Sequence, residues 1–184
     1  MENVSVFLHP KTREYGERLA LATFEKYRET KGHYRNSIKS HVIGRYGELG
    51  CYQFFINRNI EAHPNFTDLD NDASCDIQTA LGRCEVKTWN IPFWEQWGRA
   101  VSVAQLPYLE KKADFILWCS AGVVSNLIRI DIHGWNTVAD MTIRPPMLMG
   151  PANNQVENYQ VEINEMRPIQ SLVEFGRNQG VAQR

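Results

Sequence analysis

A chain of 184 residues, 43% hydrophobic and 22% charged, has the balance of a globular protein able to bury a core, which excludes a disordered or fibrous chain. No run approaches the roughly 18 apolar residues of a membrane helix, and a formal net charge of −1 excludes a chain that attracts a polyanion by bulk charge alone. The first residues, MENVSVFLHP, lack the basic-then-apolar order of a signal peptide, so a cytoplasmic chain without membrane contact is expected, with a single domain over 1–184.

In chain order, Tyr15, Leu19, Ala22 and Tyr27 recur near helical spacing and predict a helix over 11–30, stopped by Lys31-Gly32. A second helix is expected over 37–57, where Ile38, Val42, Tyr46, Leu49 and Gln53 recur at three and four. Gly44, Gly47 and Gly50 thin this helix at about 1 kcal/mol each relative to alanine, so either it breaks or a close neighbour needs the space. Glu48 stands among them as a carboxylate whose burial demands a partner. The basic window Lys26, Arg28, Lys31, Arg35, Lys39 and Arg45, with His33 and His41, concentrates positive charge between the two helices, where a solvated helix face is the commoner use.

Residues 57–74 are polar and turn-rich, and a hairpin comes next: 76–79 and 83–89 alternate polar with apolar or small residues around Ala80-Leu81-Gly82. With Leu81-Gly82 as a two-residue loop, Asp76 is expected opposite Lys87 and Gln78 opposite Glu85, all on one face, with Ile77 and Val86 on the other. On an exposed face such a pair is ordinary decoration contributing roughly 0.2–1 kcal/mol. The aromatics of 89–97 read as a loop packed over the core or presenting rings to a ligand. Then come a short strand at 101–104, a helix at 106–112 with Pro107 in its first turn, a buried strand at 113–119, a turn at Ser120-Ala-Gly122 and a strand at 126–132 closed by His133-Gly-Trp135. Residues 144–151 read as a loop and 168–177 as a last helix begun by proline. Cys51, Cys75, Cys84 and Cys119 show no C-x-x-C spacing and read as free thiols.

A glutamate on a helix, then Asp76, then Glu85-Val86-Lys87 on the next strand, then a helix and a buried strand, resembles the PD-(D/E)XK nuclease superfamily over roughly 44–119. The resemblance implies an α/β (α+β) fold, a central mixed β-sheet flanked by helices and restriction-endonuclease-like, with the motif at the sheet's divergent edge. Asp76 matches the acid of the PD half-motif, Glu85 the (D/E), Lys87 the lysine and Glu48 the glutamate of the preceding helix; Cys75 stands where the proline gives the motif its name. The same resemblance implies a metal-dependent endonuclease hydrolysing phosphodiester bonds in DNA, with Mg²⁺, or Mn²⁺ as substitute, held by Asp76, Glu85 and the backbone carbonyl of Val86. Lys87 would orient or help deprotonate the attacking water, and Glu48 would reach a water or a second metal. DNA is then the expected partner, Lys31, Arg35 and Lys39 the expected phosphate contacts, and a two-fold homodimer the simplest way to cut antiparallel strands. Gln105 resembles an accessory glutamine of such sites. The alternative is a nuclease-like fold without turnover, serving as a nucleic-acid-binding or structural subunit.

Overall fold

The alternation Val4, Val6, Leu8 against Ser5 and Phe7 makes the first strand, β1 (Val4–Leu8), which buries Val6 and Leu8 and leaves Phe7 exposed. The computed structural model describes residues 3–27, 37–68, 70, 74–150 and 155–181. Two helices come next, α1 (Pro10–Tyr27) and α2 (Ile38–Asn57), the second close to the predicted bounds. They pack on each other where Gly16 lets Leu49 approach and where the Tyr46 hydroxyl donates to Glu17 at 2.6 Å.

The main sheet has six strands in the order β1-β7-β6-β4-β3-β2. These are β2 (Ala62–Pro64), β3 (Ile77–Thr79), β4 (Gly82–Asn90), β6 (Phe115–Val124) and β7 (Leu127–Thr137) beside β1. Only β4 and β6 run parallel, and the rest of the ladder is antiparallel, so the sheet is mixed. The parallel pair needs a crossover. It is supplied by α3 (Trp94–Trp97), β5 (Ala100–Ser102) and α4 (Leu106–Lys112), the last at its predicted position. A second sheet joins β5 to β9 (Val156–Gln160) and β8 (Met147–Met149), and α5 (Leu172–Val181) ends the described chain. No helix among the described residues is long and apolar enough to cross a membrane.

Side-chain alternation divides the core between the two faces of the main sheet. Cys84, Val86, Phe115, Leu117, Cys119 and Ile130 face α2, while Ile116 and Trp118 face a second cluster built from Trp94, Leu106, Leu109, Val138 and Met141. Trp118 is fully buried and satisfies its indole N–H on Asn136 Oδ1 at 2.8 Å. Two of the three α2 glycines answer to close packing: a Cβ at Gly47 would overlap the Thr88 side chain of β4, and one at Gly50 would press on Ile130 of β7. Gly44 has open space around it. All four cysteines are free and buried, with Cys51 Sγ of α2 and Cys119 Sγ of β6 3.3 Å apart.

Several predicted boundaries move. Ser120-Ala-Gly122 is not a turn but the middle of β6, which continues to Val124. The reversal falls at Ser125-Asn126, whose φ values of 49° and 66° suit a two-residue hairpin loop. Likewise His133-Gly-Trp135 does not close β7, because the antiparallel pairing with β6 continues past a register shift at Trp118/Cys119. The segment read as a loop over 144–151 contains β8, and the 168–177 helix starts as a 3₁₀ turn before α5.

Candidate active site

The hairpin register differs from the expected one. Ile77 pairs with Cys84, Gln78 with Arg83 and Thr79 with Gly82, so the loop is Ala80-Leu81. The cause is local: Gly82, at φ +128°, carries the backbone that other residues avoid and opens β4, while Thr79 Oγ1 donates to Gly82 O at 2.8 Å and accepts from Leu81 N at 3.1 Å. The shift is two residues, an even number. It therefore preserves the faces: Ile77, Cys84 and Val86 point to the α2 core, and Glu85 and Lys87 to the other side. It does remove the expected pairings of Asp76 with Lys87 and of Gln78 with Glu85.

Pairing of β3 with β4 stops at Ile77, leaving the Val86 N–H beyond the end of its neighbour. Asp76, the residue before β3, reaches across this gap and accepts that N–H on Oδ2 at 2.7 Å. Lys87 turns instead to its own strand, where its Nζ lies 2.8 Å from Glu85 Oε1. Lys112, from the last turn of α4, places its Nζ 2.7 Å from Glu85 Oε2. Glu85 is 3% exposed, so a buried carboxylate is held between two ammonium groups. On α2, Glu48 is bound by Arg45 Nη1, and Arg45 Nη2 also donates to Thr23 Oγ1 at 2.9 Å.

Glu85 thus stands between Lys87 and Lys112 with the Asp76 charge felt beside it, while the Glu48–Arg45 pair belongs to α2 on the other face of the sheet. Burial, which alone would raise the Glu85 pKa, is outweighed by Lys87 and Lys112, and its carboxyl sits below its ordinary value. Asp76 is pushed up to about 6, by burial first and then by the Glu85 charge, against the pull of Lys112, Lys87 and the Val86 N–H. Glu48 is pushed up to about 8, by burial above all, with Asp76 and Glu85 adding and Arg45 opposing. Acids whose folded pKa is raised contribute stability that is full below their unfolded values and lost as pH rises through the folded ones. In metal-free buffer the melting temperature should therefore fall between about pH 5 and pH 9, and Glu48→Gln should flatten the upper part of that fall. Differential scanning calorimetry across the interval checks this; a wild-type curve that climbs throughout would contradict it.

No protein-family model, curated protein or solved structure matches the chain. Among the described residues no three His, Cys, Asp or Glu side chains come together as a ready-made metal cluster. Mg²⁺, however, takes only one or two carboxylates and keeps several waters. Asp76, whose Oδ2 accepts the Val86 N–H and whose Oδ1 has no such bond among the described residues, stands beside Glu85 and the Val86 backbone and fits that hard-oxygen requirement.

Lys39 is exposed in the first turn of α2, whereas Lys31 and Arg35 lie outside the described residues. Arg45, counted in the basic window, turns inward to Glu48 rather than outward. Gln105 precedes α4 and is half-buried. Sequence reasoning misses Lys112 because nothing in its neighbourhood along the chain points to Glu85. The signal that could find it is topological: a helix leading into a strand parallel to β4 must end near the start of that strand. Arg83 marks the junction, bonding Asp114 Oδ1 at 2.8 Å and Lys111 O at 2.6 Å.

A second polar group lies farther along the same face. Ser120 Oγ and His133 Nε2 are 2.8 Å apart, Trp94 stacks on the imidazole at 3.9 Å, and a groove of about 440 Å³ borders them. This is no Ser–His–Asp relay. Asp131 spends its oxygens on Ser5 at 2.6 Å and Arg129 at 3.0 Å, and burial pushes His133 down to about 4, leaving a weak base at neutral pH.

Proposed function

We propose that the chain is a metal-dependent endonuclease of restriction-endonuclease-like fold, hydrolysing phosphodiester bonds in double-stranded DNA. The observation that carries this reading is the meeting of Asp76, Glu85 and Lys87 at the gap where β3 ends beside β4. A Mg²⁺ or Mn²⁺ ion held by Asp76, Glu85 and the Val86 carbonyl would supply Lewis acidity and a water of lowered pKa. Lys87, fixed in the central strand and two residues from Glu85, is the group to orient that water and to hold its proton balance at Nζ. Glu48, kept near the acids by α2 and pushed up to about 8, is able to hold or release a proton close to neutrality. Lys39, with Lys31 and Arg35, would contact backbone phosphates, and paired cuts on antiparallel strands would be met by a two-fold dimer.

One observation favours a second reading. Glu85 has a lysine on each oxygen, as in a structural ion-pair cluster of a nucleic-acid-binding subunit without turnover. Incubating supercoiled plasmid with the chain in Mg²⁺, in Ca²⁺ and in chelator separates the two. The nuclease reading expects nicked or linear DNA in Mg²⁺, binding with little cutting in Ca²⁺, whose longer and more flexible coordination positions the nucleophile poorly, and no cutting in chelator. Binding without cutting in all three would establish the subunit reading instead.

A further inference from the structure

The site holds one cation more than the proposed chemistry uses. Glu85 meets Lys87 at 2.8 Å on Oε1 and Lys112 at 2.7 Å on Oε2. Lys87 is the lysine that the proposed chemistry already uses. Lys112 is different. It stands at the C-terminal end of α4, and its half-buried side chain bridges to Glu85 on a flexible four-carbon stem. The backbone beneath it is anchored independently, because Arg83 holds Lys111 O at 2.6 Å and Asp114 at 2.8 Å, and Asp114 N donates to Arg83 O at 2.8 Å. The Lys112 ammonium is therefore able to change partner while its helix stays in place.

We propose that Lys112 is a transferable positioning cation: it holds the Glu85 carboxylate when no metal ion is bound and passes to a DNA phosphate when one is. This rests on the nuclease reading. A divalent ion held by Asp76 and Glu85 would bring two positive charges to the carboxylate that Lys112 neutralises, so the ammonium and the ion would compete for Glu85. Once displaced, Lys112 is a compact cation at the rim of a site whose substrate is a polyanion, and a phosphate oxygen replaces the carboxylate as its partner. The exchange makes and breaks ion pairs only; no covalent bond changes.

The two halves of this proposal predict effects of opposite sign from one substitution. Lys112→Met removes the competitor for Glu85 and should tighten Mn²⁺ binding about tenfold by isothermal titration. The same variant should weaken Ca²⁺-supported binding of a DNA duplex and reduce the salt slope of that binding by about 1, the signature of one lost phosphate contact. A lysine with a merely structural role would weaken both. Wild-type protein that binds Mn²⁺ while Lys112→Met binds it no more tightly overturns the proposal and leaves the nuclease reading standing. Tighter Mn²⁺ binding with an unchanged DNA salt slope overturns the transfer to phosphate. If neither protein binds Mn²⁺, the nuclease reading fails and the proposal with it. Should Lys112→Met not fold, Lys112→Gln keeps hydrogen-bond donors without the charge and is read against the same outcomes.

Discussion

Lys87→Ala should lower single-turnover cleavage about 10²-fold or more, the usual scale for a general acid–base group, while Mn²⁺ affinity stays level or rises. The substitution removes the ammonium 2.8 Å from Glu85 Oε1 but leaves Lys112 on Oε2, so the buried carboxylate keeps a counter-charge and the fold should hold. Asp76→Asn is the contrasting variant. Its amide oxygen can still accept the Val86 N–H, so the end of β3 stays tied to β4, but one negative charge leaves the cation's donor set. Metal affinity and cleavage should then fall together. Relief of the repulsion between Asp76 and Glu85 should leave the metal-free chain no less stable than wild type. Titration with Mn²⁺ beside single-turnover cleavage measures both quantities on both variants. Wild-type cutting by Lys87→Ala, or normal metal binding by Asp76→Asn, would reduce the cluster to a structural ion-pair network.

The largest effect on stability should come from Gly47→Ala. An added Cβ would overlap Thr88 Oγ1 and lie 2.8 Å from its Cβ and 2.9 Å from its Cγ2, on the central strand one residue from Lys87. Overpacking of this kind costs about 1–3 kcal/mol, occasionally more. The helix propensity gained by replacing glycine, about 1 kcal/mol, opposes it without cancelling it. Urea unfolding should therefore show a net loss, and Thr88→Ala in the same chain should recover part of it, because it removes two of the three overlapping atoms. Gly44→Ala is the internal control. With nothing near its Cβ position, it should be neutral or stabilising by up to about 1 kcal/mol. A Gly47→Ala chain as stable as Gly44→Ala would mean that α2 does not bear on β4 as described.

The sequence makes the faces of the hairpin readable but not its register. Period-2 alternation fixes which side each residue takes, and moving the two-residue loop back by one position shifts the pairing by two, which leaves Glu85 and Lys87 together while changing every cross-strand partner. Helix spacing locates α2 and α4 closely, because their apolar faces pack on the sheet. The ends of β6 and β7 are hidden because Ser120, Gly122 and His133 look like punctuation, yet Ser120 is buried and partnered by His133. Of the site, the residues close in sequence are visible. The role of Lys112 is not, since what brings it to Glu85 is the crossover that ends α4 beside the main sheet, which no local pattern encodes, whereas Arg45 stands i,i+3 from Glu48 on α2, a spacing the helix itself sets.

The pairing of β1 with β7 has a consequence for the order of assembly. Val4 lies beside Ile132 and Leu8 beside Ile128, so one of the earliest strands to be synthesised has no neighbour until well over half of the described chain has emerged after it. β7 must itself lie against β6, which needs β4 as its parallel partner. Long-range pairing of this kind carries a loop-closure cost before any contact rewards it, and it slows folding. During synthesis, at about 5–20 residues per second, Val4, Val6 and Leu8 therefore wait many seconds as an unpaired apolar segment. The strand at one edge of the sheet is made long before its partner, and through that interval its unpaired edge is open to pairing with another copy of the chain.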